Sequence, residues 1–445
     1  MMLKFKWETE FKNTEIGGIP REWDTRKIKE IGKVITGKTP PTKDRKYWNG
    51  AFPFITPSDI PDYDIRYDYK IERFLSDEWF KKAKNLLLPS NTPCFVCIGS
   101  TIGKICMTKE PSFTNQQINS VITNSENDAL FTFYNLRANQ FRIRDEYGGG
   151  GAAKDIISKS KFEDIVLPYP SFPPDEQSRI ATVLSWFDDL IENKKRQNEI
   201  LEKTAMAIFK SWFVDFEPFK DQKFVYNEEL GRKVPEGWEV KPIGEVVEIN
   251  DGISYAYKEL SEEGDKDAIL FITLNNIYEG GGFKPEFTYI HKENFKDRHM
   301  IYEGDIVLAN KEQTKDGRLL GSAGLVFFPP FYEKDFALFS CNNTKVHVKN
   351  KNLLYLVYLE LLIFQPEITE NFHGGTSVWY LHLKTFKENK FIVIPPKEVL
   401  LKFNLLIEPL FRKIILNTKE IMILRKVRDA LLSLLVFGKL RVEEI

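Results

Sequence analysis

Apolar positions follow two regimes along the chain, and each regime occurs twice. Over residues 1–172 they gather in short runs at 52–56, 94–98, 102–107 and 121–123, rich in β-branched and aromatic side chains and bounded by Gly, Pro, Asn and Ser. Such runs predict strands. Between 175 and 216 the spacing changes to steps of three and four, through Ile180, Val183, Leu184, Phe187, Leu190, Ile191, Leu201, Ala205, Ile208 and Trp212. That spacing is one buried face of a helix. Strand-like runs return at 269–273, 305–309, 324–328 and 344–348. A second helical run then follows at 398–437, through Phe403, Leu406, Leu410, Phe411, Ile414, Ile421, Leu424, Val427, Leu431 and Leu434. Pro409 is expected to kink or split this run. About forty residues make roughly 60 Å of helix, a length typical of a coiled coil. Shorter helices are predicted at 130–147 and 353–372, each leading into a glycine-rich turn.

The sequence itself repeats in step with these regimes. IPREWDTRKIKEIGKVITG around Trp23 returns as VPEGWEVKPIGEVVEINDG around Trp238, so that Pro20, Trp23 and Gly37 recur as Pro235, Trp238 and Gly252 at a constant offset of 215. FITPSDI (54–60) returns as FITLNNI (271–277), YGGGG (147–151) as FHGGT (372–376), and VLPYPSFPP (166–174) as FIVIPP (391–396). A period this long means two similar domains and not a solenoid. The expected organisation is a module over 1–172, a helix over 173–216, a polar linker and second module over 217–396, and a last helix over 397–445. Residues 173–217 carry six basic and nine acidic side chains, net −3, whereas 397–441 carry ten and four, net +6. Opposite signs predict that the two helices pair with each other, and if they run antiparallel the modules sit at opposite ends of a rod. Two similar modules imply pseudo-two-fold symmetry, which suits a ligand with two related halves such as duplex DNA.

Composition adds limits. A 445-residue chain that is 42% hydrophobic and 29% charged reads as soluble and globular. No window of 18 apolar residues is present, and MMLKFKWETEFKN lacks the apolar core of a signal peptide. Four cysteines in this length point to a reducing cytoplasm. Net charge is −1, yet residues 24–48 hold eight basic and three acidic side chains, a local +5 that a solvated face would also explain.

Several motifs invite chemistry and fall short. GKVITGKT at 32–39 matches a phosphate loop, but that loop needs a helix at once after Lys-Thr, and Pro40 and Pro41 follow instead. A basic glycine loop touching a DNA phosphate accounts for these residues better. Cys94 and Cys97 lie inside a strand-like run where positions three apart face opposite sides, so buried structural thiols are expected. The five histidines show no metal spacing; His373 stands out only because it precedes the second glycine turn, where an ordinary loop histidine is the alternative. No Asn-Pro-Pro-Tyr, Asp-Pro-Pro-Tyr or Gly-x-Ser-x-Gly sequence occurs. Catalysis is therefore expected in partner proteins.

The twin starts, the repeated Phe-Ile-Thr-x-x-[Asp/Asn]-Ile, the STIGKICM and GSAGLVFF segments, and above all PPDEQSRIATVLSWFDDLIENKKRQNEILEKTAMAIFKSWFVDF resemble the specificity subunit of a type I restriction–modification enzyme over nearly the whole chain. The resemblance implies an α+β fold: two similar target recognition domains separated by two long antiparallel helices in a coiled coil, with pseudo-two-fold symmetry. It implies that each domain reads half of a bipartite double-stranded DNA target while the helices set the spacer. It implies two docked methyltransferase subunits that bind S-adenosylmethionine, and restriction subunits that bind ATP and Mg, with no cofactor, metal or catalytic residue on this chain. One departure stands out. The second copy has PPKEVLLKF where the first has PPDEQSRI, so the Glu-Gln pair is not repeated.

Roles follow from groove chemistry, in which Lys and Arg grip phosphates while Asn, Gln and other paired donors read bases. In the first module Gly37, Lys38, Thr39, Lys43 and Arg45 are the expected backbone-gripping loop. Ser100, Thr101, Lys104, Asn115, Gln116 and Gln117 are base readers or phosphate contacts, and the turn from Gly148 to Lys154 is a close approach to the duplex. In the second, Tyr255, Tyr257 and Lys258 follow Gly252; Lys311, Gln313, Lys315 and Arg318 form a polar insertion; His373, Thr376 and Ser377 flank the glycine turn. A solvated loop is the alternative for each residue. A self-sufficient nuclease or NTPase, a protein-binding scaffold, and a subunit of a methylation-only system are the rival readings of the chain.

Overall fold

The short apolar runs become strands, and both halves of the chain assemble them in the same order. The structure, a computed structural model, describes residues 3–61, 66–67, 71–148, 155–171, 175–312, 317–376 and 378–444. The chain divides into two units, residues 1–193 with 424–445, and residues 194–423. The first holds a four-stranded antiparallel sheet in the order Gly32–Thr36, Ile118–Thr123, Pro93–Val96, Ile105–Met107. The second repeats it with Val247–Asp251, Asn343–Val348, Ile306–Ala309 and Ala323–Leu325. Pro93–Val96 and Ile306–Ala309 are buried throughout, which is why they read as unbroken apolar runs and not as alternation. Each unit also pairs two strands in parallel: Phe113 lies opposite Phe54, and Leu338 opposite Phe271.

Several boundaries differ from the sequence reading. The strand expected at 102–107 starts only at Ile105, because the turn Gly99–Thr101 and Gly103, at φ 107°, bend the chain first. The helix expected at 130–147 is two, Ala129–Ala138 and Gln140–Tyr147. Between them Asn139 turns its amide back onto the Asn135 carbonyl at 2.9 Å, a local bond that competes with the helix. The helix expected at 353–372 likewise divides into Leu354–Ile363 and Gln365–Phe372, since Pro366 has no N–H to continue the first ladder.

The mid-chain helix spans Asp175–Phe209 and closes in a π-helical turn, Lys210–Val214, short of the expected end at 216. Phe216 then takes a left-handed conformation at φ 53°. The cause is tertiary: Phe213, Phe216 and Phe219 gather around Trp238, with ring centroids 5.8, 5.5 and 4.9 Å away. The stretch read as a polar linker contains a hairpin, Phe224–Asn227 with Arg232–Pro235. The C-terminal helix runs unbroken over Lys397–Val436, so Pro409 does not split it. One backbone bond is lost there, to the carbonyl of Leu405, a residue 76% exposed where water can replace it. Phe403, Ile407 and Phe411 hold the helix in the core on both sides of the proline.

Within each unit the two long helices lie side by side and run antiparallel. In the first, Ile180, Val183 and Leu184 share a core with Leu432, Leu435 and Val436, and Asp188 bonds Arg428 at 2.6 Å. In the second, Ala205 and Phe209 share a core with Phe403, Ile407 and Phe411. There Lys194 bonds Glu420, and the fully buried Asn417 donates to Asn198 at 3.0 Å. A buried amide held by its partner in this way fixes the register of two helices, because any slip strands Asn417 in apolar surroundings.

The two tryptophan turns are anchored differently, and this accounts for the missing Glu-Gln pair. Trp23 and Trp238 each close a turn onto the preceding proline carbonyl, at 3.0 and 3.2 Å. The Trp23 indole donates to Glu176 at 3.2 Å, and Glu176 is gripped by Arg441, which also bonds Glu8 at 2.7 Å. Gln177, 1% exposed, accepts from the Asp128 amide at 2.9 Å. These bonds join the mid-chain helix to both ends of the chain, where Leu3–Trp7 pairs with Leu440–Glu444. Around Trp238 aromatic rings do this work, so the second copy has no need of the pair.

Candidate nucleic-acid interface

Four backbone hydrogen bonds build the same loop scaffold in each unit. In the first, Lys38 N–H donates to Thr114 O at 2.9 Å, Asn115 N–H to Ile55 O at 3.1 Å, Cys97 N–H to Gln117 O at 2.8 Å, and Ile157 N–H to Cys97 O at 3.0 Å. In the second, Ile253 N–H donates to Phe339 O at 2.8 Å, Ser340 N–H to Ile272 O at 2.9 Å, Asn310 N–H to Asn342 O at 3.0 Å, and Leu381 N–H to Asn310 O at 2.9 Å. The bonds join the loop after Gly37 or Gly252, the turn at 114–117 or 339–342, and the segment after the glycine-rich turn. Residues far apart in sequence thus come to one face.

Gly37 and Gly252 explain themselves here. A Cβ on Gly37 would run into the carbonyl oxygens of Thr114 and Asn115, and one on Gly252 into those of Ser340 and Phe339. Gly37 is thus required by a backbone crossing, whatever it touches besides. Gly37→Ala and Gly252→Ala are each expected to destabilise their unit by about 1–3 kcal/mol, the usual cost of overpacking, visible as a lower midpoint in thermal unfolding. Unchanged midpoints for both variants would contradict this account.

Around the first scaffold Lys38, Lys43, Arg45, Ser100 and Gln116 are exposed. Thr39 donates to Gln116 Oε1 at 2.7 Å, which leaves the Gln116 amide nitrogen for a ligand. Other candidates are engaged internally. Asn115 and Gln117 bond each other through their side chains at 3.1 Å, Thr101 donates to Ile98 O at 2.7 Å, and Lys104 donates to Ile60 O at 3.1 Å. Gly148 sits against Ile102, at the Ser100–Thr101 turn. The rest of that glycine turn, with Lys154, lies outside the described residues.

In the second unit Tyr255, Tyr257 and Lys258 are exposed beyond Gly252, and Tyr255 meets Phe271 edge-on at 4.8 Å. Lys311 pairs with Tyr380, and Tyr380 with Gly374, in a small three-stranded sheet whose middle strand, Trp379–Leu381, lies between Lys311 and His373. His373 stacks on Trp379 at 4.5 Å, and its Nδ1 lies 2.8 Å from Thr369 O. A carbonyl only accepts, so Nδ1 carries the proton and Nε2 is left as an acceptor when the ring is neutral. Thr376 is exposed nearby, and Arg318 faces Glu279 at 3.8 Å. Gln313, Lys315 and Ser377 lie outside the described residues. The sequence reading missed Trp379 and Tyr380; an aromatic pair just after the glycine turn was the available signal.

The remaining motifs resolve structurally. Gly32–Thr36 is a strand, so the phosphate-loop match presents no helix N-terminus. Cys94 lies directly across from Cys106, and burial pushes the Cys97 thiol up to about 12, far from the thiolate that a metal requires. Among the described residues no helix is long and apolar enough to cross a membrane.

Two copies of one α+β module, each carrying the same hydrogen-bonded loop scaffold, make up the chain. The family model described as the type I restriction modification DNA specificity domain matches residues 20–203 and again 235–421. The chain belongs to this family. It is 39% identical over 445 residues to the type I restriction enzyme MjaIX specificity subunit of Methanocaldococcus jannaschii, covering 100% of this chain and 99% of that one. To the MjaVIII specificity subunit of the same organism it is 25% identical over 448 residues, covering 100% and 99%. Among solved structures, the S subunit of a type I restriction-modification system from M. genitalium covers 93% of this chain and 96% of its own, with TM-score 0.54 and 18% identity, a likeness of fold. The chain is thus a type I restriction–modification specificity subunit with two DNA recognition domains.

Proposed function

We propose that each unit reads one half of a bipartite DNA sequence through its loop face, that the paired helices set the spacer, and that two methyltransferase subunits dock on them. In this reading the chain does no chemistry. S-adenosylmethionine is held by the methyltransferase subunits, and ATP and Mg by restriction subunits that join them. The observation that carries it is the duplicated hydrogen-bonded scaffold, in which matching positions hold different side chains: Lys38, Thr39 and Gln116 in the first unit, Ile253, Ser254 and Cys341 in the second. A fixed frame with variable side chains is what reading two unlike half-sites requires.

Within the first unit, Lys38 and Lys43 serve as phosphate contacts. Lys38→Ala with Lys43→Ala is expected to weaken binding to every duplex and to flatten the plot of log K against log salt by about 1.8, at roughly 0.9 per contact. Fluorescence anisotropy of the full chain over a KCl series measures it. Loss of affinity for one sequence alone would overturn the phosphate assignment.

A further inference from the structure

Beside its main core the first unit has smaller ones, one of them built from Tyr47, Phe54, Leu75, Trp79, Ala83 and Phe113. Tyr47 is 7% exposed and meets Trp79 edge-on at 5.4 Å. Two ammonium groups, Lys46 Nζ and Lys82 Nζ, each stand 5.1 Å from the centre of the Tyr47 ring, and Lys82 also donates to the Tyr47 hydroxyl at 3.2 Å. The two charges are therefore no more than about 10 Å apart, on exposed residues. Glu78, whose carboxyl feels Lys46, is bonded by Lys81 at 2.8 Å. Cation–ring attraction holds both ammonium groups in place, while their mutual repulsion remains until an anion joins them.

We infer that Lys46 and Lys82, set on the Tyr47 ring, anchor the phosphate backbone of duplex DNA. The inference rests on the reading that the first unit binds DNA, and adds where its sequence-independent grip is concentrated. Ammonium groups are point charges without the planar fork that reads a base edge, so phosphate is their proper partner. The anchor is continuous with the loop face: the loop from Gly37 leads to Lys46, and the Trp48 indole donates back to Pro41 O at 3.2 Å. The corresponding stretch of the second unit has the opposite charge. Residues 38–92 hold ten basic and eight acidic side chains, whereas 253–304 hold six and ten. In the second stretch Lys292 is bonded to Glu259 at 2.5 Å. The first unit therefore supplies most of the salt-dependent affinity, and the second mainly discriminates.

The test compares three double variants of the full chain on a duplex of arbitrary sequence: Lys46→Ala with Lys82→Ala, Lys38→Ala with Lys43→Ala, and Lys266→Ala with Lys296→Ala. The first is expected to flatten the salt slope by about 0.9 to 1.8, so that the affinity lost between 50 and 200 mM KCl shrinks by up to about twelvefold. The third is expected to leave the slope unchanged. A flattened slope for Lys38/Lys43 with none for Lys46/Lys82 overturns the anchor and leaves the DNA reading standing. No change in either variant sinks the DNA reading itself. Inorganic phosphate titrated into the parent chain separates the remaining source: saturable binding lost in Lys46→Ala with Lys82→Ala, without a change in DNA slope, would make this a free-phosphate site and overturn the anchor. Lys46→Glu, expected to weaken binding further than Lys46→Ala, guards against a purely steric effect.

Discussion

Replacing Arg428 by Met is expected to destabilise the first unit by about 3–5 kcal/mol, the cost of leaving one member of a buried ion pair without its partner. Arg428 is 1% exposed and Asp188 is 4% exposed, and they bond at 2.6 Å. Tyr134 donates to the other Asp188 oxygen at 2.6 Å, and Arg428 also bonds Asp429 at 2.9 Å. Burial already pushes the Asp188 carboxyl up, with Arg137, Tyr134 and Arg66 pulling against it. Without Arg428 the carboxyl rises further. A carboxyl raised in the folded state binds more protons there than in the unfolded chain, so the variant loses stability as pH rises through the folded value. Its deficit against the parent should therefore be largest near neutral pH and shrink toward pH 4. Scanning calorimetry of the full chain should show the midpoint of one transition lowered by about 6–20 °C for a unit of this size. Asp188→Leu with Arg428→Met should recover most of the loss, since an apolar pair replaces the ionic one. A deficit that stays constant with pH would mean that Asp188 is not the group left stranded.

Much of this arrangement is legible in the amino-acid sequence, and the limits have physical causes. Period and punctuation reveal the duplication, the strand-rich modules and the two long helices, because burial on one helical face and burial on both sheet faces leave different apolar spacing. Opposite net charges point to the pairing that Lys194 with Glu420 and Asp188 with Arg428 realise. What local pattern cannot carry is competition decided by distant residues. Pro409 signals a break, yet the core around Phe403, Ile407 and Phe411 holds the helix through it. The run toward Phe216 keeps helical spacing, but the cage around Trp238 turns its end. The candidate residues of the loop face follow from residue type, which does not reveal availability. Lys104 and Asn115 look like ligands for DNA in the sequence and are bonded within the protein, whereas Lys82, in an ordinary-looking amphipathic helix, stands over Tyr47. Gly37 was read as a loop that touches phosphate, and the structure adds that its missing side chain lets two backbones cross.

Inserting one matched heptad into each long helix, after Asn193 and after Ile423, is expected to lengthen the recognised spacer and leave both half-site sequences unchanged. The chain passes from one unit to the other at these two points, and both fall inside helices. The bonded partners stay together on either side: Asp188 keeps Arg428 in the first unit, and Asn198 keeps Asn417 in the second. Seven residues add about 10.5 Å of helix, and because they make nearly two full turns the facing stripes drift by only about 20°. At about 3.4 Å per base pair along one strand, the spacer should grow by up to about three base pairs. Inserting in one helix alone should instead throw the Asn198–Asn417 rung out of step with Asp188–Arg428 and lower stability. Sequencing of methylated sites in cells that carry the paired insertion gives the readout. An altered half-site with the old spacer would show that the helices do not set the distance, and that recognition and spacing are not carried by separate parts of the chain.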